Sequence, residues 1–177
     1  TLWIADIVTF DFGESFVSGE PVGSLILERF PVTFLLALSG LFLSLAIALP
    51  LGVLGAVHRW SFWDYAGMVF SQIGMAIPGF WLGILFLLLF SVKLGWLPFF
   101  GSGTIAHFVL PACSLGVARA AVLVRLTRAS MIEELDREYV LTARANGLRQ
   151  NRIVYRHALK NALLPIITIA GIQLGYM

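Results

Sequence analysis

A chain of 177 residues in which 59% are hydrophobic and only 12% charged cannot enclose its apolar surface in one water-soluble core; a mean hydropathy of +0.89 places it among membrane proteins. The net charge of +2 conceals an asymmetry, since residues 1–28 hold five acids and no base while residues 119–160 hold nine bases and four acids. A single cysteine, Cys113, excludes an internal disulfide or a thiolate metal site and reads as a packing residue.

In chain order, an acidic segment, 1–29, precedes a series of long apolar runs. A helix rising 1.5 Å per residue needs about 20 residues to cross a hydrocarbon core of about 30 Å. Spans are therefore expected at about 30–57, 65–92 and 108–131, and a fourth, 162–177, stops after 16 residues and reads as truncated. His58, Arg59 and the bases from Arg125 to Lys160 assign their ends of the spans to the cytoplasm, because Lys and Arg accumulate on that side. The segment 1–29 and the loop 93–107 then lie outside, with Trp96, Phe99 and Phe100 as interfacial anchors. An outside start without a secretory signal pattern implies an upstream helix.

Pro50, Pro78, Pro111 and Pro165 fall in or beside the spans, where each removes a backbone donor and can kink a helix. Gly52, Gly55, Gly74, Gly79 and Gly83 permit close helix approach. The fold class is all-α: a polytopic transmembrane helical bundle over 30–177, with a connecting region at 132–161.

That connecting region is "EYVLTARANGLRQNRIVYRHALKN" at its centre, with Arg144, Arg149, Arg152, Arg156, Lys160 and His157. From Ser130 the pattern is amphipathic, with Leu135, Tyr139 and Ala143 on one face. Gly147 is placed to end the helix at positive φ, and a second helical segment is expected at about 151–159. Two short basic helices joined at a glycine suit either contact with anionic lipid or docking of a partner protein.

The residues go further than the pattern. "RLTRASMIEELDREYVLTARANGL" followed by "RHALKNALLP" resembles the cytoplasmic loop of the dipeptide, oligopeptide and nickel permeases of ATP-binding-cassette importers. "DFGESFVSGEPV", "LPLGVLGAVHRWSFWD", "IPGFWLGILFLLLFSVKLGWLP" and "HFVLPACSLG" resemble further segments of the same family, in the same order. The resemblance implies a type I importer permease of the bacterial plasma (inner) membrane, handling di- or oligopeptides, or nickel or another small solute. It implies a second permease subunit, two cytoplasmic ATPase subunits and an extracytoplasmic substrate-binding protein as partners. The ATPase-docking residues it implies are Tyr139, Thr142, Ala143, Arg144, Gly147, Leu148 and His157. Against the general importer pattern Glu-Ala-Ala, three residues, Gly, nine residues, Ile-x-Leu-Pro, this chain matches Ala143 and Gly147 but has Leu141 and Thr142 before Ala143, and His157, Ala158, Leu159 and Lys160 after the gap.

No phosphate-cradling Gly-x-x-x-x-Gly-Lys-Ser/Thr loop is present, so ATP hydrolysis is assigned to a partner and the chain is read as having no catalytic residue and no cofactor. The scattered His58, His107, Cys113 and His157 offer no metal set. An intramembrane enzyme would need a nucleophile beside a base, and a secondary transporter would need intramembrane ionisable groups. Gln72 and Arg119 are read as bordering the translocation path. Arg119 lies deep in its span, and no Asp or Glu occurs between Asp64 and Glu133. Its guanidinium therefore faces a carbonyl, water, another subunit or an anionic substrate group.

Overall fold

The computed structural model describes residues 12–99, 101 and 104–176. The first eleven residues of the acidic segment, Phe100 of the loop and Met177 of the last expected span lie outside the described residues. The helices are α1 (Val22–Val57), α2 (Phe62–Ala76), α3 (Gly79–Lys93), α4 (Ile105–Leu135), α5 (Glu138–Ala145) and α6 (Gln150–Gly175). The chain divides into two compact units, and α1 passes from the first into the second after Leu36.

The first unit opens with a tight turn. Glu14 and Pro21 form an antiparallel bridge, Ser15 N–H donates to the Glu20 carbonyl and Val22 N–H to the Gly13 carbonyl, both at 2.9 Å. Gly13 and Gly19 supply the positive φ that such a reversal needs (68° and 71°). The turn delivers the chain into α1 at Val22, so α1 begins eight residues before the apolar run at 30 and takes in Glu28 and Arg29.

In the second unit α1 turns mostly small residues inward, while many large apolar side chains of the bundle face outward. Along α1 the buried positions are Ala37, Gly40, Ser44, Ala48, Gly52, Val53, Gly55 and Ala56, while Phe42, Phe80, Leu88, Leu164 and Ile167 are exposed. A protein in water would reverse this. In hydrocarbon, burying leucine gains little, and helices associate through backbones brought close by small residues. A Cβ on Gly74 would fall 2.6 Å from Ala121 Cβ, and one on Gly116 would fall 2.9 Å from Leu43. The helix α4 is thus the axis against which α1, α2, α3 and α6 pack.

The apolar run 65–92 is not one helix. Between α2 and α3 the chain turns through 101° at Ile77 and Pro78. Pro78 has no N–H to give and forces the residue before it out of the helical region, and Ile77 is extended (φ −87°, ψ 124°). Pro31 and Pro50 in α1, Pro111 in α4 and Pro165 in α6 stay within helices. Three helices, α1, α4 and α6, are each long and apolar enough to cross a membrane, and the bent pair α2–α3 makes a fourth candidate.

Two further expectations are corrected. The amphipathic pattern from Ser130 is not one helix: α4 stops at Leu135 and α5 starts at Glu138, with Arg137 extended between them (φ −75°, ψ 151°). The short helix expected at 151–159 is the first part of α6, which runs unbroken from Gln150. Nothing between Leu159 and Ala162 interrupts it, because a π-helical stretch, Ile153–Ala158, turns the register so that Ile153, Val154, Ala158 and Ala162 all face inward. With Val53, Ala56, Met131 and Leu135 from α1 and α4, Val154, Ala158 and Ala162 form a core at the foot of the bundle.

Candidate functional site

The connecting region is an elbow held on one side and bare on the other. Val140 of α5 is fully buried, whereas Leu141, Thr142, Arg144 and Ala145 are exposed. The helix ends as its glycine demands: Gly147 has φ 75°, its N–H donates to the Arg144 carbonyl at 2.9 Å, and Leu148 N–H donates to the Ala143 carbonyl at 3.1 Å. This pair of bonds is a Schellman cap. A Cβ at Gly147 would meet nothing within 4 Å, so backbone conformation alone calls for glycine there. Of the residues implied by the resemblance, Tyr139, Thr142, Ala143 and Arg144 lie on α5, and Gly147 and Leu148 form its cap. His157 stands apart from them, half-buried in the π stretch of α6.

A polar node fixes the inner side of the elbow. Tyr139 Oη donates to Glu134 Oε2 at 2.7 Å, and Asn161 Nδ2 of α6 donates to Glu134 Oε2 at 3.4 Å and to Tyr139 Oη at 3.3 Å. Arg137 Nε sits 2.9 Å from Glu134 Oε1. The break between α4 and α5 makes this possible, because in a continuous helix residues five apart do not face each other. Burial pushes the Tyr139 phenol up from its ordinary 10.0, and the Glu134 carboxylate adds to the shift. It therefore stays a neutral donor across the physiological range.

A second polar cluster ties the turn after α1 to α4. Asp64 is 2% exposed and accepts from Arg128 through both oxygens, Nε to Oδ1 and Nη2 to Oδ2, the latter at 2.8 Å. The same carboxylate accepts Trp60 N–H at 3.0 Å, holding Trp60 at φ 65°, a conformation a bulky side chain rarely adopts. Nearby, Arg59 pairs with Asp136 at 2.8 Å. Sequence reading missed both clusters. The signal was a charge at the very edge of an apolar run, Asp64, with an arginine near the cytoplasmic end of another, Arg128.

Between α2–α3 and α4 runs a line of clefts. One is lined by Gln72 with Ser71, Arg125 and Arg128, and the next by Gly74, Ile77, Phe80, Ala118 and Arg119. Gln72 and Arg119 thus belong to neighbouring clefts. Of the partners open to Arg119, a carbonyl is the one met: Nη2 donates to the carbonyl of Tyr176, the residue that follows α6, at 3.0 Å.

Comparison with known proteins agrees with this architecture. Residues 48–177 match the family described as "Binding-protein-dependent transport system inner membrane component". The chain belongs to that family. It is similar to the oligopeptide transport system permease protein AppB of Bacillus subtilis, at 43% identity over 97% of this chain and 58% of that protein. It is also similar to the glutathione transport system permease protein GsiC of Pectobacterium atrosepticum, at 40% identity over 99% of this chain and 57% of the relative. The protein of that name from Salmonella typhi is 37% identical over the same shares. The chain spans less than three fifths of the length of these relatives.

Proposed function

We propose that the chain forms part of a peptide permease subunit of an ATP-driven importer, with the α5 elbow as its cytoplasmic docking element. In this reading Tyr139, Thr142, Ala143, Arg144, Gly147, Leu148 and His157 meet a separate ATPase subunit that carries out hydrolysis. A second permease subunit, a further ATPase subunit and an extracytoplasmic binding protein complete the assembly. The observation that carries the reading is the two-sided character of α5: Leu141, Thr142, Arg144 and Ala145 are exposed on its outer face, while Tyr139, Glu134 and Asn161 link its inner face to both α4 and α6. A push on α5 would therefore move two spans together, whereas a flexible loop would absorb it. The printed names of the relatives favour peptides as the solute, and the clefts that hold Gln72 and Arg119 are the surface along which a solute would pass.

The test is crosslinking in the assembled transporter. A cysteine at Ala143, in a cysteine-free background that includes Cys113→Ser, should capture the ATPase subunit, and peptide uptake into proteoliposomes should require both that subunit and ATP. Uptake that proceeds without an ATPase subunit overturns the reading.

A further inference from the structure

The cleft between α2 and α4 carries a charge that the fold leaves unanswered. Its volume is about 330 Å3, and Gly67, Ser71, Gln72, Val124, Arg125 and Arg128 line it. Arg128 spends its charge on Asp64. Arg125 is exposed and has no hydrogen-bond or ion-pair partner among the described residues. With no Asp or Glu between Asp64 and Glu133, α2, α3 and the membrane part of α4 hold no further carboxylate to neutralise it. Ser71 supplies a second, independent observation: the residue is 2% exposed, and its hydroxyl has no hydrogen-bond partner among the described residues. Buried hydroxyls are almost always bonded, so one left over beside an unpaired cation marks a place for an acceptor. The Gln72 amide adds another donor.

Resting on the permease reading, we propose that Arg125, Gln72 and Ser71 form a binding site for the anionic oxygen group, a carboxylate, of the transported solute. Arg125 supplies the forked donor that pairs with two carboxylate oxygens, and Gln72 and Ser71 supply neutral donors for the remaining lone pairs. A lipid phosphate shares this chemistry, but the depth of the site favours the solute. Trp60, Trp63 and Tyr65 are exposed and form an aromatic band of the kind found at the membrane–water interface. Gln72 lies seven residues beyond Tyr65 on α2, about 10 Å further along the helix and away from the level of the headgroups. Arg119, already bonded to a carbonyl, is not part of this site.

The site can be read without depending on transport. In the assembled transporter containing the full-length chain, Gln72→Cys is introduced into a cysteine-free background that includes Cys113→Ser. An anionic methanethiosulfonate reagent should label it about tenfold faster than a cationic one of similar size, the ratio a unit charge several ångströms away produces in a watery cleft. Arg125→Gln should bring that ratio close to one. A free-acid dipeptide should slow labelling, and its C-terminal amide should not. A ratio that Arg125→Gln leaves unmoved overturns the site. Protection that appears when phosphatidylglycerol replaces phosphatidylcholine in nanodiscs, and is not given by the free-acid dipeptide, overturns the solute as its occupant. Charge-selective labelling and dipeptide protection in an assembly that shows no ATP-dependent uptake would support the site and overturn the permease reading alone.

Discussion

Two arginines line the α2–α4 cleft, Arg125 and Arg128, and the fold treats them differently. Arg59, Arg128 and Arg137 each have a carboxylate: Asp136, Asp64, and Glu133 with Glu134. Arg125, one helical turn from Arg128, has none among the described residues. In a low-dielectric setting an unpaired guanidinium is costly, so a neighbour three residues away that is fully paired makes the bare one informative. Arg128, through Asp64, ties α4 to α2, and of the two arginines in the cleft Arg125 is the one without such a partner among the described residues.

That contrast can be broken in graded steps. The largest effect is expected at Asp64. Removing one partner of a buried ion pair leaves the other unpaired, so Asp64→Asn should cost about 3 kcal/mol or more, read as a lowered midpoint of thermal unfolding of the purified complex. The double variant with Arg128→Gln should lose less than the two single losses combined. A loss for Asp64→Asn no greater than that at Asp136 would show that burial of the pair matters little.

Next comes helix approach. Gly74→Val would drive side-chain atoms into Ala121, and overpacking of this kind costs about 1–3 kcal/mol. The same readout should fall, and Ala121→Gly should restore part of it. At the elbow, Gly147→Val forces a β-branched residue into positive φ and should cost about 1–2 kcal/mol. Because no side chain lies near that Cβ, the loss should appear as lower ATP-coupled uptake with the bundle's unfolding midpoint nearly unchanged, and Gly147→Asn should be milder.

Tyr139→Phe removes one hydrogen bond to a carboxylate and leaves Glu134 with Asn161 and Arg137, so about 1 kcal/mol is expected. The pH dependence follows from the direction of the shift. With the phenol raised above its ordinary 10.0 in the folded protein, its stabilisation is fully present below that value and is lost as pH rises through the raised one. Wild type and Tyr139→Phe should therefore converge in stability only at strongly alkaline pH. The smallest effect is expected at Asp136. Its pair with Arg59 is largely exposed, and Asp136→Asn should change the unfolding midpoint by the equivalent of about 0.5 kcal/mol or less.

Much of this was legible without coordinates. Apolar runs longer than 20 residues can only be buried core or membrane spans, so the all-α class and the helices around 30–57, 108–131 and 162 onward follow from length and hydropathy. Gly147 announced its own positive φ, since local backbone chemistry does not wait for tertiary contacts. Likewise Gly52 and Gly74 marked close helix contacts, though not their partners, Thr127 and Ala121.

Tertiary structure alone decided the rest. Hydropathy is blind to a break inside an apolar run, so the 101° turn at Ile77 and Pro78 left only the proline as a hint, one shared with Pro31, Pro50, Pro111 and Pro165, which break nothing. Periodicity carried the amphipathic face straight through Asp136. The chain breaks there, and Tyr139 reaches back across the break to Glu134. Which arginines are paired also could not be read, since Asp64 and Arg128 are 64 residues apart in sequence and meet only when α2 packs on α4. Sequence determines what each segment must avoid, which is water for the spans and left-handed backbone for residues other than glycine. Packing determines which charges find each other, as Asp64 and Arg128 do.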